Sequence, residues 1–179
     1  MRTTVALTAA AALAAAVGGR TGAAAPAATL LAGTVPTVPC GDAIGFVRSG
    51  RAGGYRVVLG IVSVPPARLT QVVPTHTRPW AYWRKAGLVI RASEHAVTVS
   101  VPPAWRRRAA IVWGNGTTTG SGPFGALRIA ACPVPPPRLW RAYAGGFYLR
   151  SPSACVPVTF TSGGRSATVR FGIGRPCPA

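Results

Sequence analysis

Residues 156–171 can pair with themselves in only one register. Val156, Val158 and Phe160 alternate with Pro157 and Thr159, and Ala167, Val169 and Phe171 alternate with Thr168 and Arg170. Gly163-Gly164 lies between the two runs. A two-residue turn on the glycine pair sets Phe160 opposite Ala167, Val158 opposite Val169 and Val156 opposite Phe171. All six are apolar and share one face, while Thr159, Thr161, Thr168 and Arg170 share the other. Side chains alternate with period two, so a slip of one residue would turn the apolar set to solvent. The stretch predicts a half-buried antiparallel hairpin.

Much of the remaining chain is written in the same way. Tyr55 to Val62 reads as one strand, ended by Pro65-Pro66. Residues 65–80 hold four prolines and no period, which predicts a long loop. Gly87 to Arg91 is a strand, and His95 to Val101 alternates with Val97, Val99 and Val101 inward. Ala109 to Trp113 is a short strand ended by Gly114-Asn115-Gly116. Thr117 to Gly122 reads as a flexible turn. Leu127, Ile129 and Ala131 alternate against Arg128 and Ala130, residues 133–137 read as a polyproline crossover, and Gly146 to Arg150 leads into the hairpin. No helical stretch of ten residues and no internal repeat is found after the N-terminal segment. A hydrophobic fraction of 49% against 12% charged residues excludes a disordered chain. Its 179 residues suit one domain with a real core. About eight short strands punctuated by Gly and Pro predict an all-β fold, a single β-sandwich of which the immunoglobulin-like arrangement is one form. A closed barrel is the alternative.

The N-terminus has the pattern of an export signal. Met1-Arg2-Thr3-Thr4 is basic, Val5 to Val17 is apolar, and Ala25-Pro26-Ala27 is a small-residue cleavage pattern, with Gly22-Ala23-Ala24 as a second candidate. The apolar run is too short and too Ala-rich to span a bilayer stably. Cys40 lies too far downstream to be a lipid-attachment site. The expected organisation is a signal peptide over 1–27, a flexible lead-in over 28–37 and a β-sandwich domain over 38–179. The expected product is exported to the cell envelope or the medium and has no transmembrane span. Four cysteines, Cys40, Cys132, Cys155 and Cys177, then read as two disulfides. Cys155 falls about opposite Gly172 at the open end of the hairpin, within reach of Cys177, so the preferred pairing is Cys155–Cys177 and Cys40–Cys132. Loop closure gives the two bridges roughly 3 and roughly 4–5 kcal/mol.

Charge is the strongest functional signal. The chain has 20 Lys and Arg against 2 Asp and Glu, a formal net charge of +18. Removing Arg2 and Arg20 with the signal leaves +16. Such a protein attracts polyanions of any class. The plain alternative is a solubility coat written by a GC-rich genome, which would favour Arg over Lys. Catalytic constellations are hard to build, because Asp42, Glu94, His76 and His95 are the whole acid/base supply. A carboxylate-pair glycosidase is disfavoured. In Ser93-Glu94-His95, a strand would point Glu94 away from its neighbours. No Cys/His spacing suggests a metal site, and no Met outside the signal could complete a blue-copper set. No cofactor is implied. Two clusters remain as candidate binding residues: Arg78, Trp80, Trp83, Arg84 and Lys85, then Trp105, Arg106, Arg107 and Arg108. Aromatic faces beside guanidinium groups can stack sugars or bases and hold anions. The competing reading makes the tryptophans core anchors with Arg stems over them. Arg150, Arg165 and Arg170 serve as a comparison set remote from these clusters in sequence.

Tyr143-Ala144-Gly145-Gly146-Phe147-Tyr148-Leu149-Arg150, Cys155-Val156-Pro157-Val158 and residues 163–172 resemble a group of exported proteins from GC-rich Gram-positive bacteria. Tyr55–Gly60 and Tyr82–Leu88 fit the same pattern. The resemblance implies an exported single domain and carries no activity with it. The expected function is a non-catalytic exported or envelope module that binds an anionic envelope polymer or a protein through a basic, aromatic surface, with no specific nucleic acid. A secreted hydrolase with an unrecognised site, or a secreted protease inhibitor, is the alternative. Mass spectrometry of the secreted chain should find an N-terminus near Ala28; recovery of the full-length chain from the membrane fraction would contradict the signal assignment.

Overall fold

The computed structural model describes residues 35–115, 122–132 and 139–178. The expected signal segment, residues 28–34 of the expected lead-in, residues 117–121 of the expected turn and the expected polyproline crossover lie outside the described residues. The strands are β1 (Thr37–Val38), β2 (Gly45–Val47), β3 (Arg56–Val58), β4 (Val62–Val64), β5 (Arg68–Leu69), β6 (Val73–Pro74), β7 (Tyr82–Lys85) and β8 (Leu88–Arg91). They continue with β9 (Val97–Ser100), β10 (Ala109–Trp113), β11 (Ala126–Ile129), β12 (Trp140–Tyr143), β13 (Gly145–Leu149), β14 (Ala154–Ser162) and β15 (Arg165–Ile173). Helical structure among the described residues is limited to short 3-10 turns, one of them Pro103–Trp105.

The strands form three open sheets, ordered β1-β11-β9-β14-β15-β5, β10-β13-β7-β6 and β2-β12-β8-β4-β3. None closes into a barrel. The fold is all-β and sandwich-like. One apolar core is common to all three sheets: Val97, Val158 and Phe171 come from the first, Ile111 and Phe147 from the second, Val62, Leu88 and Tyr143 from the third. Phe147 joins two layers directly, 5.3 Å from the Phe171 ring and edge-on to Trp113 at 5.6 Å. An aromatic side chain buried in this way contributes about 2–3 kcal/mol.

The hairpin has the expected register. Val156 pairs with Phe171, Val158 with Val169, Phe160 with Ala167 and Cys155 with Gly172. Gly163 and Gly164 have φ of 53° and 73°, the left-handed pair that a tight two-residue turn requires. Both disulfides join the expected partners, Cys40–Cys132 and Cys155–Cys177, with Cα–Cα distances of 5.9 and 5.0 Å. Val97, Val99 and Val101 are fully buried.

Other expectations change. Tyr55 to Val62 is two strands, because Leu59 (φ 52°) and Gly60 (φ 76°) reverse the chain and pair Arg56 with Val64. An unbroken apolar run carries no mark of that turn except the glycine. The expected loop over 65–80 contains β5 and β6, which add to sheet edges where proline's missing N–H costs little. Strand β1 begins at Thr37, within the expected lead-in.

A feature invisible to local pattern joins the second and third sheets. Strands β7 and β8 are separated only by Ala86-Gly87, and β12 and β13 only by Ala144. Leu149 pairs with Tyr82, Gly146 with Lys85, Tyr143 with Leu88 and Trp140 with Arg91. The register is the same on both sides, so this is one continuous antiparallel ribbon bent between two sheets. At the bend, Gly145 and Gly146 have φ of 157° and 156°. A methyl group at Gly145 would run into the Val112 carbonyl, and one at Gly146 into the Arg84 carbonyl. The Trp113 indole N–H donates to the Ala86 carbonyl at 2.8 Å and pins the corner.

Gly146→Ala should therefore cost about 3 kcal/mol or more. Gly164→Ala, at a positive φ but with open space around it, should cost about 1 kcal/mol. Urea unfolding of the two variants checks this ranking, and equal losses would show that the bend tolerates a side chain.

Candidate functional site

Arg108 and Arg150 extend the ladder between β10 and β13 by one step. Ala109 faces Leu149 in the last pair, and the Arg150 N–H donates to the Arg108 carbonyl at 3.2 Å. Like charges set across a ladder repel. Here each guanidinium is held over an indole: Arg108 lies 5.6 Å from the Trp105 ring and Arg150 lies 5.9 Å from the Trp80 ring. Cation–π contact of this kind contributes about 0.5–1 kcal/mol at an exposed site.

Beside this pair is a groove of about 630 Å³. One wall is Trp105 and Arg108, carried by the turn before β10. Arg150, Ser151 and Ser153 come from the link between β13 and β14. The floor includes Pro157 and Arg170, a cross-strand pair on the outer face of the hairpin. Arg175 and Pro178 close the far side. The Cys155–Cys177 bridge holds that last segment against the hairpin, where it lies so close to Gly172 that an added Cβ would meet the Arg175 carbonyl at 2.6 Å. Four arginines and no acidic side chain line the groove. The volume is that of a small-ligand or oligomer subsite.

The nine sequence candidates divide among several locations. Trp105 and Arg108 line the groove, and Trp80, buried, lies under Arg150. Arg106 folds back, its Nε donating to the Val101 carbonyl at 3.2 Å, while Arg107 is exposed on the turn. Arg78 is exposed just before Pro79. Trp83 pairs with Tyr148 on the outer face of the second sheet, ring centroids 4.6 Å apart, and Lys85 follows on the same face. Arg84 sits opposite Phe147, which turns it to the inner face; its charge reaches the Tyr55 hydroxyl. Trp105–Arg108 form a turn, as three consecutive arginines require, so only Arg108 of the three joins the groove. Arg150 and Arg170, placed in the comparison set by sequence distance, stand in the same groove as Arg108. The β10–β13 register was the signal that could have found Arg150; Arg170 comes from a different sheet, and no ladder links it to Arg108.

The acid/base residues do not converge. Asp42 accepts the Asn115 N–H at 3.1 Å, and Glu94 and His95 stand in the exposed turn before β9, where the His95 ring lies beside Gly163. Among the described residues no group of three His, Cys, Asp or Glu side chains could hold a metal ion. No helix of the described residues is long and apolar enough to cross a membrane. No protein-family model, curated protein or solved structure matches the chain.

Two phenols are shifted. Burial pushes Tyr143 above its ordinary value, with Asp42 adding to the rise and Arg141 opposing it. Burial likewise raises Tyr55, against a backbone hydrogen bond with Gly87 and the charge of Arg84. A raised folded-state value means that the unfolded chain loses its proton first. Stability is then full below the ordinary Tyr value of about 10 and falls as pH rises through the folded value. Tyr143→Phe should flatten the alkaline limb of a stability–pH curve above about pH 10; an unchanged limb would exclude Tyr143 as its source.

Proposed function

We propose that this protein is a non-catalytic exported or envelope module that binds an anionic polymer through the groove of Trp105, Arg108, Arg150, Arg170 and Arg175. The observation that carries the reading is a like-charged Arg108–Arg150 pair held side by side, with two further arginines and no acidic side chain in the same groove. Such an arrangement is held together at an electrostatic cost that an anion removes. Arg presents a planar fork suited to carboxylate, phosphate or sulfate, and the Trp105 and Trp80 rings hold the Arg108 and Arg150 guanidinium groups by cation–π contact. The net charge brings polyanions to the surface, and the groove supplies a place for them. The export pattern of residues 1–27 and the two disulfides support an extracytoplasmic setting, where wall and capsule polymers supply the anions.

Arg108, Arg150 and Arg170 replaced together by Ala should weaken binding of an acidic polymer at every salt concentration. The slope of log affinity against log salt should become shallower by about two. The control removes the same charge from exposed positions outside the groove, Arg48, Arg51 and Arg56. A coat of charge without a site predicts equal losses from the two triple variants, and that result would overturn the reading.

A further inference from the structure

The groove opens onto a second surface of different chemistry. Beyond the Pro157–Arg170 pair, the outer face of β14 and β15 carries Thr159 opposite Thr168, then Thr161 opposite Ser166. The ladder continues through β9 and β11. Thr159 faces Ser100, and Thr161 faces Thr98, which faces Arg128. The alternating positions Val97, Val99, Leu127, Ile129, Val156, Val158, Phe160, Val169 and Phe171 are buried and apolar, so these hydroxyls lie on the outward side. Hydroxyls meet in pairs, Thr159 with Thr168 and Thr161 with Ser166, both at 2.9 Å. Each pair uses one donor and one acceptor and leaves the rest of its capacity to solvent or to a ligand.

Cations mark the limits of this field. Arg170 stands at its junction with the groove, and exposed Arg128 lies three strands across, at the far end of the hydroxyl rows. Arg128 shares the row of Thr161 and Ser166, and strand rise and spacing put it about 20 Å from Arg170. A ligand crossing the face would meet charge, then hydroxyls, then charge again. A polyphosphate or a nucleic acid would find little in the hydroxyl rows, because these offer no dense cations and no aromatic platform for bases. A lipid surface would find no exposed apolar patch there. A chain of sugars bearing spaced carboxylates or sulfates matches both components.

Resting on the groove reading above, we propose that the ligand is an acidic polysaccharide, and that it runs from the arginine groove across the hydroxyl rows of the six-stranded sheet toward Arg128. Its acid groups meet arginines at the groove and at the far margin. Its hydroxyls exchange hydrogen bonds with the Thr and Ser rows between them.

The probes are a long polygalacturonate, a short galacturonate oligomer confined to the groove, and a linear polyphosphate. The variant is Thr159→Val with Thr168→Val, which removes one mutually bonded hydroxyl pair and keeps the β-branched shape. Thr161→Val with Ser166→Ala is its independent counterpart. Each should weaken long polygalacturonate about tenfold, the loss of two ligand hydrogen bonds. The salt slope, the binding of the short oligomer and the binding of polyphosphate should not change. Wild-type affinity of both variants for long polygalacturonate would exclude the hydroxyl face while leaving the groove reading intact. Equal losses for polyphosphate and polygalacturonate would show that a phosphate polymer, not a polysaccharide, is the partner class. Wild-type binding by the Arg108, Arg150 and Arg170 variant would overturn the groove reading itself.

Discussion

The bend of the β7–β8/β12–β13 ribbon is the constraint on which the other contacts depend. A flat sheet has one inner face; a sheet folded at Gly145-Gly146 presents two, and the hairpin layer packs against the result. The bend needs backbone to approach backbone more closely than a Cβ allows, which is why the two glycines are adjacent at the corner. It also leaves peptide groups that must be paired inside the core. The Ala86 N–H goes to the Gly145 carbonyl at 2.8 Å, and the Ala86 carbonyl receives the Trp113 indole. Unpaired, each would cost about 1–3 kcal/mol. Trp113 is thus placed by a hydrogen bond as much as by its area, and Phe147 packs edge-on against it.

What could be read in the sequence, and what could not, follows the range of the interactions. The hairpin was legible because Gly163-Gly164 and two alternating runs are all local. The disulfides were legible because the hairpin register put Cys155 beside Gly172 and left Cys40 and Cys132 to each other. Strands β2 and β12 left little local trace: Phe46 is exposed, and Arg141 is a buried cation set over the Phe46 ring at 5.1 Å. Their strand character comes from their ladder partners, not from any apolar period. The Leu59-Gly60 turn was hidden for the opposite reason, since both its flanks are apolar.

The groove failed to show itself in sequence in an instructive way. Clusters such as Trp105–Arg108 advertise charge density, yet charge density along a chain is not density in space. Arg106 is consumed by the Val101 carbonyl and Arg84 by the interior. Arg150 and Arg170 are isolated among uncharged neighbours; strand pairing carries Arg150 beside Arg108, and Arg170 meets them in the groove from a different sheet. Two separate ladders, brought to one groove by the packing of two sheets, assemble the site.

The Cys155–Cys177 bridge has one role in the fold and another in the groove. The β14–β15 ladder extends over nine residue pairs with an apolar face in the core, and it does not need the covalent link to choose its partners. The segment bearing Arg175 has no strand of its own and is tethered by that link. Reduction would therefore separate two properties that are joined in the oxidised chain: the hairpin would keep its pairing while the groove lost one wall and one of its four cations. Integrity of the fold, measured by any spectroscopic criterion, would then be a poor guide to whether the groove is intact.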